Sequence, residues 1–474
     1  MRYAAIDNKL FSSNRAKLKK LLLPNSLVAI NSNDILPTNA DGVLLLRPNA
    51  DLFYLTGIEQ EETVLLIYPD AHEENQREIL FLRESNPLAE TWEGHKLTKE
   101  EARKISGIKR VEWLSEFRPL FHRLMCECDH AYLNSNEHKR ASIVVETREA
   151  RFVREVQAAY PLHDFQRLAR LMHQLRVVKS EPEVGLIRKA CEITDAGFSR
   201  VCSFVRPGVK EYEVEAEFAH EFLRRGGQFA YNPIIAAGKN SCVLHYVENG
   251  ETCRDGEVLL MDVAASYANY NSDLTRTIPV NGKFSPRQRE VYDSVLRVLR
   301  GASKAARPGR LPREWQKEAE ALMQKELVDL GLVKSSETRK SEKSDEQPAF
   351  KKYFMHGIGH PLGLDVHDVG ITTEPIQAGW ILTVEPGIYI RDEGFGIRLE
   401  NNILVQKNGN VDLMAHIPID PDEIEELMSK GKASPGSGGS KSRGTAPHAT
   451  NRNGIRSGNG MIERRGSRSA NFSL

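Results

Sequence analysis

Four acidic residues and one histidine in the C-terminal half stand where charge is costly. Asp262 follows the apolar run Val258-Leu259-Leu260-Met261, and Glu385 follows Ile381-Leu382-Thr383-Val384. Each run reads as a buried strand, and an ionised carboxylate at its end is expensive unless paired or bound to a metal. Asp273, in Ser272-Asp273-Leu274-Thr275-Arg276-Thr277, and Glu400, in Gly396-Ile397-Arg398-Leu399-Glu400, are expected on the strands that follow. One acidic pair would mean little, because most carboxylates are simply solvated. Two pairs in matching settings point to a shared task.

The histidine comes from the stretch Phe354-Met355-His356-Gly357-Ile358-Gly359-His360-Pro361-Leu362-Gly363-Leu364-Asp365-Val366-His367-Asp368. Gly357, Gly359 and Pro361 disfavour the helix on which zinc proteases place paired histidines, so a loop is expected. Four carboxylates and one imidazole form a hard, oxygen-rich donor set. It suits Mn²⁺ first, with Zn²⁺, Co²⁺ or Fe²⁺ as alternatives. Four negative charges are too many for one divalent ion and balance two. Two such ions about 3.5–4 Å apart can share an activated hydroxide. The chemistry indicated is metal-assisted hydrolysis.

The elements that must hold these residues read as an α/β chain of two domains. In residues 1–172, Gly42–Leu46, Glu62–Tyr68 and Glu78–Leu82 are short apolar runs expected as buried strands, with helices at Lys99–Ile105 and Leu114–Glu127. In residues 173–428, Ser180-Glu181-Pro182-Glu183 is a capping box that opens a helix ending at Pro207-Gly208. A second helix runs from about Glu211 to Arg225, and strands follow at Val258–Ala264 and Thr275–Val280. The order then repeats, with helices from Ser285-Pro286 and after Pro312, and strands at Trp380–Val384, Gly387–Ile390 and Ile397–Val405. Two halves, each helix, helix, strands, indicate an internal duplication. Residues 334–347 read as an exposed charged insertion, and residues 429–474 as a disordered tail.

Composition narrows the function. The formal net charge is zero, but the segment from Ser429 carries nine Lys or Arg against one acidic residue, so the body is mildly acidic. That argues against nucleic acid as the ligand. No apolar run is long enough for a membrane helix, and the first twenty residues lack the apolar core of a secretory signal. The six cysteines do not form a disulfide framework or a zinc-knuckle spacing, which points to buried thiols in a reducing, cytoplasmic setting.

The motifs resemble those of the pita-bread metallopeptidases. The carriers are Asp262 with Asp273, the stretch Ser-Asp-Leu-Thr-Arg-Thr, the segment His356 to Asp368, Thr383-Val-Glu385-Pro-Gly-Ile-Tyr389 and Arg398-Leu-Glu400-Asn. Within that group the chain is most similar to the aminopeptidase P family, from about Arg176 to Val405 and again at Arg47–Gly57 and Glu90-Thr-Trp92-Glu-Gly. The resemblance implies a creatinase-like N-terminal α/β domain before a pita-bread catalytic domain. It implies metal ligands Asp262, Asp273, His360, Glu385 and Glu400, with Glu385 also the proton shuttle. By the same resemblance His245, His356, His367, Tyr389 and Arg398 line the substrate pocket, with His356 and His367 stabilising charge on the scissile carbonyl. Asn401 and Asn402 depart from a pattern in which acidic residues are frequent. Trp92 resembles a residue that reaches a neighbouring subunit, which implies a homo-oligomer, dimer or tetramer.

The implied activity is release of the N-terminal residue from peptides with proline second. The alternatives are a prolidase that cleaves only Xaa-Pro dipeptides and a non-catalytic peptide-binding relative that would have lost its ligands. A methionine aminopeptidase fits less well, because a large N-terminal domain is not part of its usual build.

Overall fold

The computed structural model describes residues 2–141, 144–337 and 347–433. The N-terminal part is built on one six-stranded mixed sheet, ordered β4-β3-β2-β1-β5-β6. Its strands are β1 Ser26–Asn31, β2 Val64–Ile67, β3 Glu78–Leu82, β4 Arg110–Trp113, β5 His130–Leu133 and β6 Asp164–Arg167. Successive side chains on a strand point to opposite faces, so alternate residues feed two separate cores. Val28, Ile30, Leu65 and Ile67 enter one, while Leu27, Ala29, Val64 and Leu66 enter the other. Helices α1 Lys9–Lys19, α2 Ala50–Thr56, α4 Lys99–Ser106 and α7 Leu168–Val177 contribute to the first core. Helices α5 Phe117–Met125 and α6 Arg148–Ala159 contribute to the second, and α3 Pro87–Glu93 buries no residue.

The strand expected at Gly42–Leu46 does not form. Val43, Leu44 and Leu45 are 59%, 54% and 77% exposed, and the segment makes only a bridge from Pro37 to Val43. The run lies outside the six-stranded sheet, whose edges are β4 and β6. Helix α7 runs across residue 172 into the next part of the chain without a break.

The C-terminal part repeats helix, helix, strands as expected. Its first half has α8 Glu181–Phe204 and α9 Glu211–Arg224, then β7 Gln228–Phe229, β8 Ile234–Ala237, β9 Val258–Asp262, β10 Ala265–Tyr267, β11 Tyr270–Asn271 and β12 Thr275–Pro279. The second has α10 Pro286–Ala305 and α11 Pro312–Asp329, then β13 Ile381–Val384, β14 Gly387–Ile390, β15 Phe395–Arg398, β16 Asn401–Leu404 and β17 Val411–Asp412. Capping boxes of Ser180 with Glu183 and of Ser285 with Gln288 start α8 and α10. Both halves share one continuous apolar core. Its apolar packing fixes the paired strands that carry the acidic residues.

Within the charged insertion, residues 334–337 and 347 are exposed and 338–346 lie outside the described residues. Residues 429–433, assigned to the tail on composition, continue the helix Pro421–Ala433, and residues 434–474 lie outside the described residues. None of the six cysteines is in a disulfide; five are buried and Cys126 is exposed. Among the described residues no helix is long and apolar enough to cross a membrane.

Candidate metal centre

In each half one carboxylate ends a strand and a second precedes the strand paired with it. Asp262 is the last residue of β9 and Asp273 stands two residues before β12, while Glu385 follows β13 and Glu400 immediately precedes β16. The pairing brings them together: Asp262 lies opposite Thr275, and Val384 opposite Asn401. The sequence places Asp273 and Glu400 on strands; the structure places them at strand entrances. There the Glu400 N–H is free to donate across the halves to the Thr275 carbonyl at 3.0 Å.

The histidine segment is a loop, as expected, and it runs beside β13. The Thr383 N–H donates to the His360 carbonyl at 2.9 Å, and the His360 N–H to Thr383 Oγ1 at 3.0 Å. Glycine at 359 is what allows this approach, because a Cβ there would sit 2.0 Å from the Thr383 carbonyl oxygen. His360 Nδ1 lies 3.0 Å from the Pro361 carbonyl. With the proton assigned to that nitrogen, the Nε2 lone pair faces Asp273 Oδ2 at 3.5 Å and Glu385 Oε1 at 3.7 Å. Burial, then the adjacent His367, lowers the His360 pKa to about 3, so the ring is neutral at pH 7.

Asp273, His360 and Glu400 each offer an atom within 4.8 Å of the others. Burial raises the pKa of Asp273, Glu385 and Glu400, and each is raised further by a neighbouring carboxylate: Asp262, Glu400 and Asp273 respectively. The Tyr231 hydroxyl lies 2.7 Å from both Asp262 Oδ1 and Asp273 Oδ1, and its single proton satisfies only one of them. Crowded carboxylates facing an unprotonated imidazole nitrogen fit divalent cations, whose charge relieves their mutual repulsion.

A second chain of contacts leads outward. Arg398 donates from Nη2 to Asp262 Oδ2 at 2.6 Å, from Nη1 to the Tyr389 hydroxyl at 2.9 Å and from Nε to Thr275 Oγ1 at 3.1 Å. The Tyr389 hydroxyl in turn lies 2.8 Å from His356 Nε2, and His356 Nδ1 lies 2.8 Å from the Gly357 carbonyl. Burial lowers the His356 pKa to about 3, which fits a ring that donates through Nδ1 and accepts from Tyr389. The His367 ring, open to solvent on one side, stands edge-on to His360 with centroids 4.3 Å apart, and partial desolvation, then Arg140, lowers its pKa to about 4. His245 is exposed, and its charge bears on both His356 and His367.

Sequence reasoning did not single out Tyr231, nor the work of Asn402. Asn402 Oδ1 accepts from the Asp273 N–H, while its Nδ2 donates to the Asp273 carbonyl. The asparagine that departs from the acidic pattern thus holds a candidate ligand in place.

The model for metallopeptidase family M24 matches residues 185–407, which contain all five candidate ligands. That for the aminopeptidase P N-terminal domain matches residues 11–132. The Xaa-Pro aminopeptidase of Escherichia coli is 34% identical over 440 residues, covering 89% of this chain and 98% of the relative. The chain belongs to metallopeptidase family M24. Human Xaa-Pro aminopeptidase 3 is 28% identical over 452 residues, covering 90% of this chain and 86% of its own. Among solved structures, zinc-substituted Escherichia coli aminopeptidase P in complex with product has a TM-score of 0.80 at 33% identity, covering 91% of this chain and 100% of its own. Pseudomonas aeruginosa aminopeptidase PepP has a TM-score of 0.82 at 31% identity, with the same coverage. This M24 chain is therefore a metal-dependent aminopeptidase, with a pita-bread catalytic domain behind an aminopeptidase P N-terminal domain.

Proposed function

We propose that the chain removes the N-terminal residue from peptides whose second residue is proline, using two divalent cations, Mn²⁺ above all. Asp262, Asp273, His360, Glu385 and Glu400 would hold them. Bound there, the cations would supply Lewis acidity and an activated water. The observation that carries this reading is the convergence of the His360 Nε2 lone pair and carboxylates from both halves on one buried point.

The residues then divide the work. Glu385 is among the less buried of the carboxylates, with 22% of its side chain exposed, and it is raised by burial and Glu400. Both properties suit it to take a proton at its carboxylate oxygen and deliver it to the leaving proline nitrogen. His367, neutral at pH 7, meets the scissile carbonyl as a hydrogen-bond donor. His356 holds Tyr389 and so the Arg398 fork; to reach substrate itself it exchanges that bond. His245, at the exposed edge, contacts the incoming peptide. The Xaa-Pro bond has no N–H, so a pocket that leaves no acceptor for one favours proline.

The rival is a prolidase with the same five ligands. A cavity of about 740 Å³ adjoins His367 and reaches Arg47, His138 and Arg140 of the N-terminal part. That space suits a peptide longer than two residues. Assaying an Xaa-Pro dipeptide against an Xaa-Pro tripeptide separates the two: cleavage of the dipeptide alone overturns the proposal. If the purified protein with Mn²⁺ released no first residue from any Xaa-Pro peptide, the non-catalytic reading would replace both. A cytoplasmic setting is supported by six cysteines without a disulfide. A homo-oligomer is supported by Trp92, which is 83% exposed on α3.

A further inference from the structure

The loop that carries His367 is held on both sides by an ion network outside the metal centre, buried at Arg176, Lys179 and Asp368 and open to solvent at Asp365. Arg176, near the end of α7, is buried with 4% of its side chain exposed. Its Nη2 donates to Asp365 Oδ2 at 2.7 Å and to Asp368 Oδ1 at 2.6 Å, the two acids that flank His367. Its Nη1 donates to Asp51 Oδ1 at 2.8 Å, on α2 of the N-terminal part. Asp51 is itself fixed by Asn134 Nδ2 on its other oxygen, at 3.0 Å. Lys179 Nζ completes the set at 2.7 Å from Asp368 Oδ2.

Buried ion pairs contribute little net stability, because desolvation cancels most of the attraction, but they fix geometry. Here the geometry is specific to a planar fork. One guanidinium reaches three carboxylates, Asp51 on α2 and two on the His367 loop, which a single ammonium cannot reproduce. Across 363–368 the backbone donates from the Gly363 N–H to Asp365 O and from the Asp368 N–H to Pro361 O, at 3.1 and 2.9 Å. Asn271 anchors the Gly363 and Leu364 carbonyls, and Leu364 and Val366 pack on the core. At the side chains beside His367 it is Arg176 and Lys179 that bind. Gly363 is pressed so closely that a Cβ there would lie 2.2 Å from Asp368 Oδ2.

We infer that Arg176 is a positioning residue for His367, through which α2 of the N-terminal part sets where that ring stands in the active site. The inference rests on the role given to His367 above. Arg176 acts through Asp365 and Asp368.

The test is a double-mutant cycle on the full-length, Mn²⁺-loaded enzyme with an Xaa-Pro tripeptide. R176K should lower kcat roughly 10-fold or more, the scale expected when a catalytic group is misplaced from a distance, with KM changed less than about twofold. In an H367A background the same substitution should change kcat by less than about twofold, since the group it positions is gone. Equal losses in both backgrounds would show a merely structural role and overturn the inference, as would an R176K enzyme with unchanged kcat. If H367A alone left kcat untouched, the role of His367 would fall first, and the inference with it. Should R176K not fold, D51N serves in its place, because it leaves Arg176 paired to Asp365 and Asp368. It should cost about threefold in kcat alone and nothing beside H367A; additive losses overturn the inference.

Discussion

Asn402 holds Asp273 by its backbone in both directions, accepting the N–H at 3.0 Å and donating to the carbonyl at 2.7 Å. β16 is thereby tied to the segment entering β12, from the other half, at a residue proposed to hold metal. Partners of this kind set ligand orientation, and their loss typically costs about 10–100-fold in metal affinity. N402A should weaken Mn²⁺ binding by that order, read by titrating metal-free protein. Affinity equal to the parent's would remove Asn402 from the centre.

Chelation should abolish peptide release and added Mn²⁺ should restore it. The carboxylates of Asp273, Glu385 and Glu400 are raised by burial and by one another, so the metal-free fold carries a penalty that cations relieve. Mn²⁺ at 100 times its dissociation constant should stabilise the protein by about 2.7 kcal/mol, seen as a higher Tm. A Tm indifferent to Mn²⁺ would contradict this.

Substituting Gly359 is expected to damage both fold and site. A methyl group would meet the Thr383 carbonyl at 2.0 Å, and neither the loop nor β13 can move without breaking the bonds between them. G359A should destabilise by about 1–3 kcal/mol, as overpacked sites do, and lose most activity. Denaturant unfolding and a peptide assay measure the two effects separately.

Glu149 gives a pH dependence remote from the metals. Burial pushes its carboxyl up to about 8, although Asn31 donates to it from both backbone and side chain. Unfolded, a glutamate titrates near 4.3. Between those values the folded protein holds a proton that the unfolded chain has released. This contribution to stability is therefore full below about pH 4 and lost as pH rises towards 8, at up to about 1.4 kcal/mol per pH unit. E149Q should flatten that part of the profile in urea melts from pH 5 to 8; an unchanged slope would refute the assignment.

Much of the candidate centre was legible because its residues announce themselves locally. Asp262 and Glu385 each terminate an apolar run, and glycines around His360 deny it a helix. The repeated order of helices and strands could be read from caps at Ser180 and Ser285. What the sequence hid depends on distant partners. Tyr231 matters because residues 31 and 42 positions later meet its hydroxyl, and Arg176 because Asp51 and Asp368 do. Leu44 and Leu45 mislead for the converse reason: an apolar run resembles a strand whether or not a sheet has room for it.

The division of the proposed ligands between two duplicated halves also orders events in time. Asp262 and Asp273 emerge during synthesis well before His360, Glu385 and Glu400. A nascent chain that has completed only that first half bears two of the five proposed ligands and no imidazole among them. A product that stops before Glu400 would carry an incomplete set of the proposed ligands.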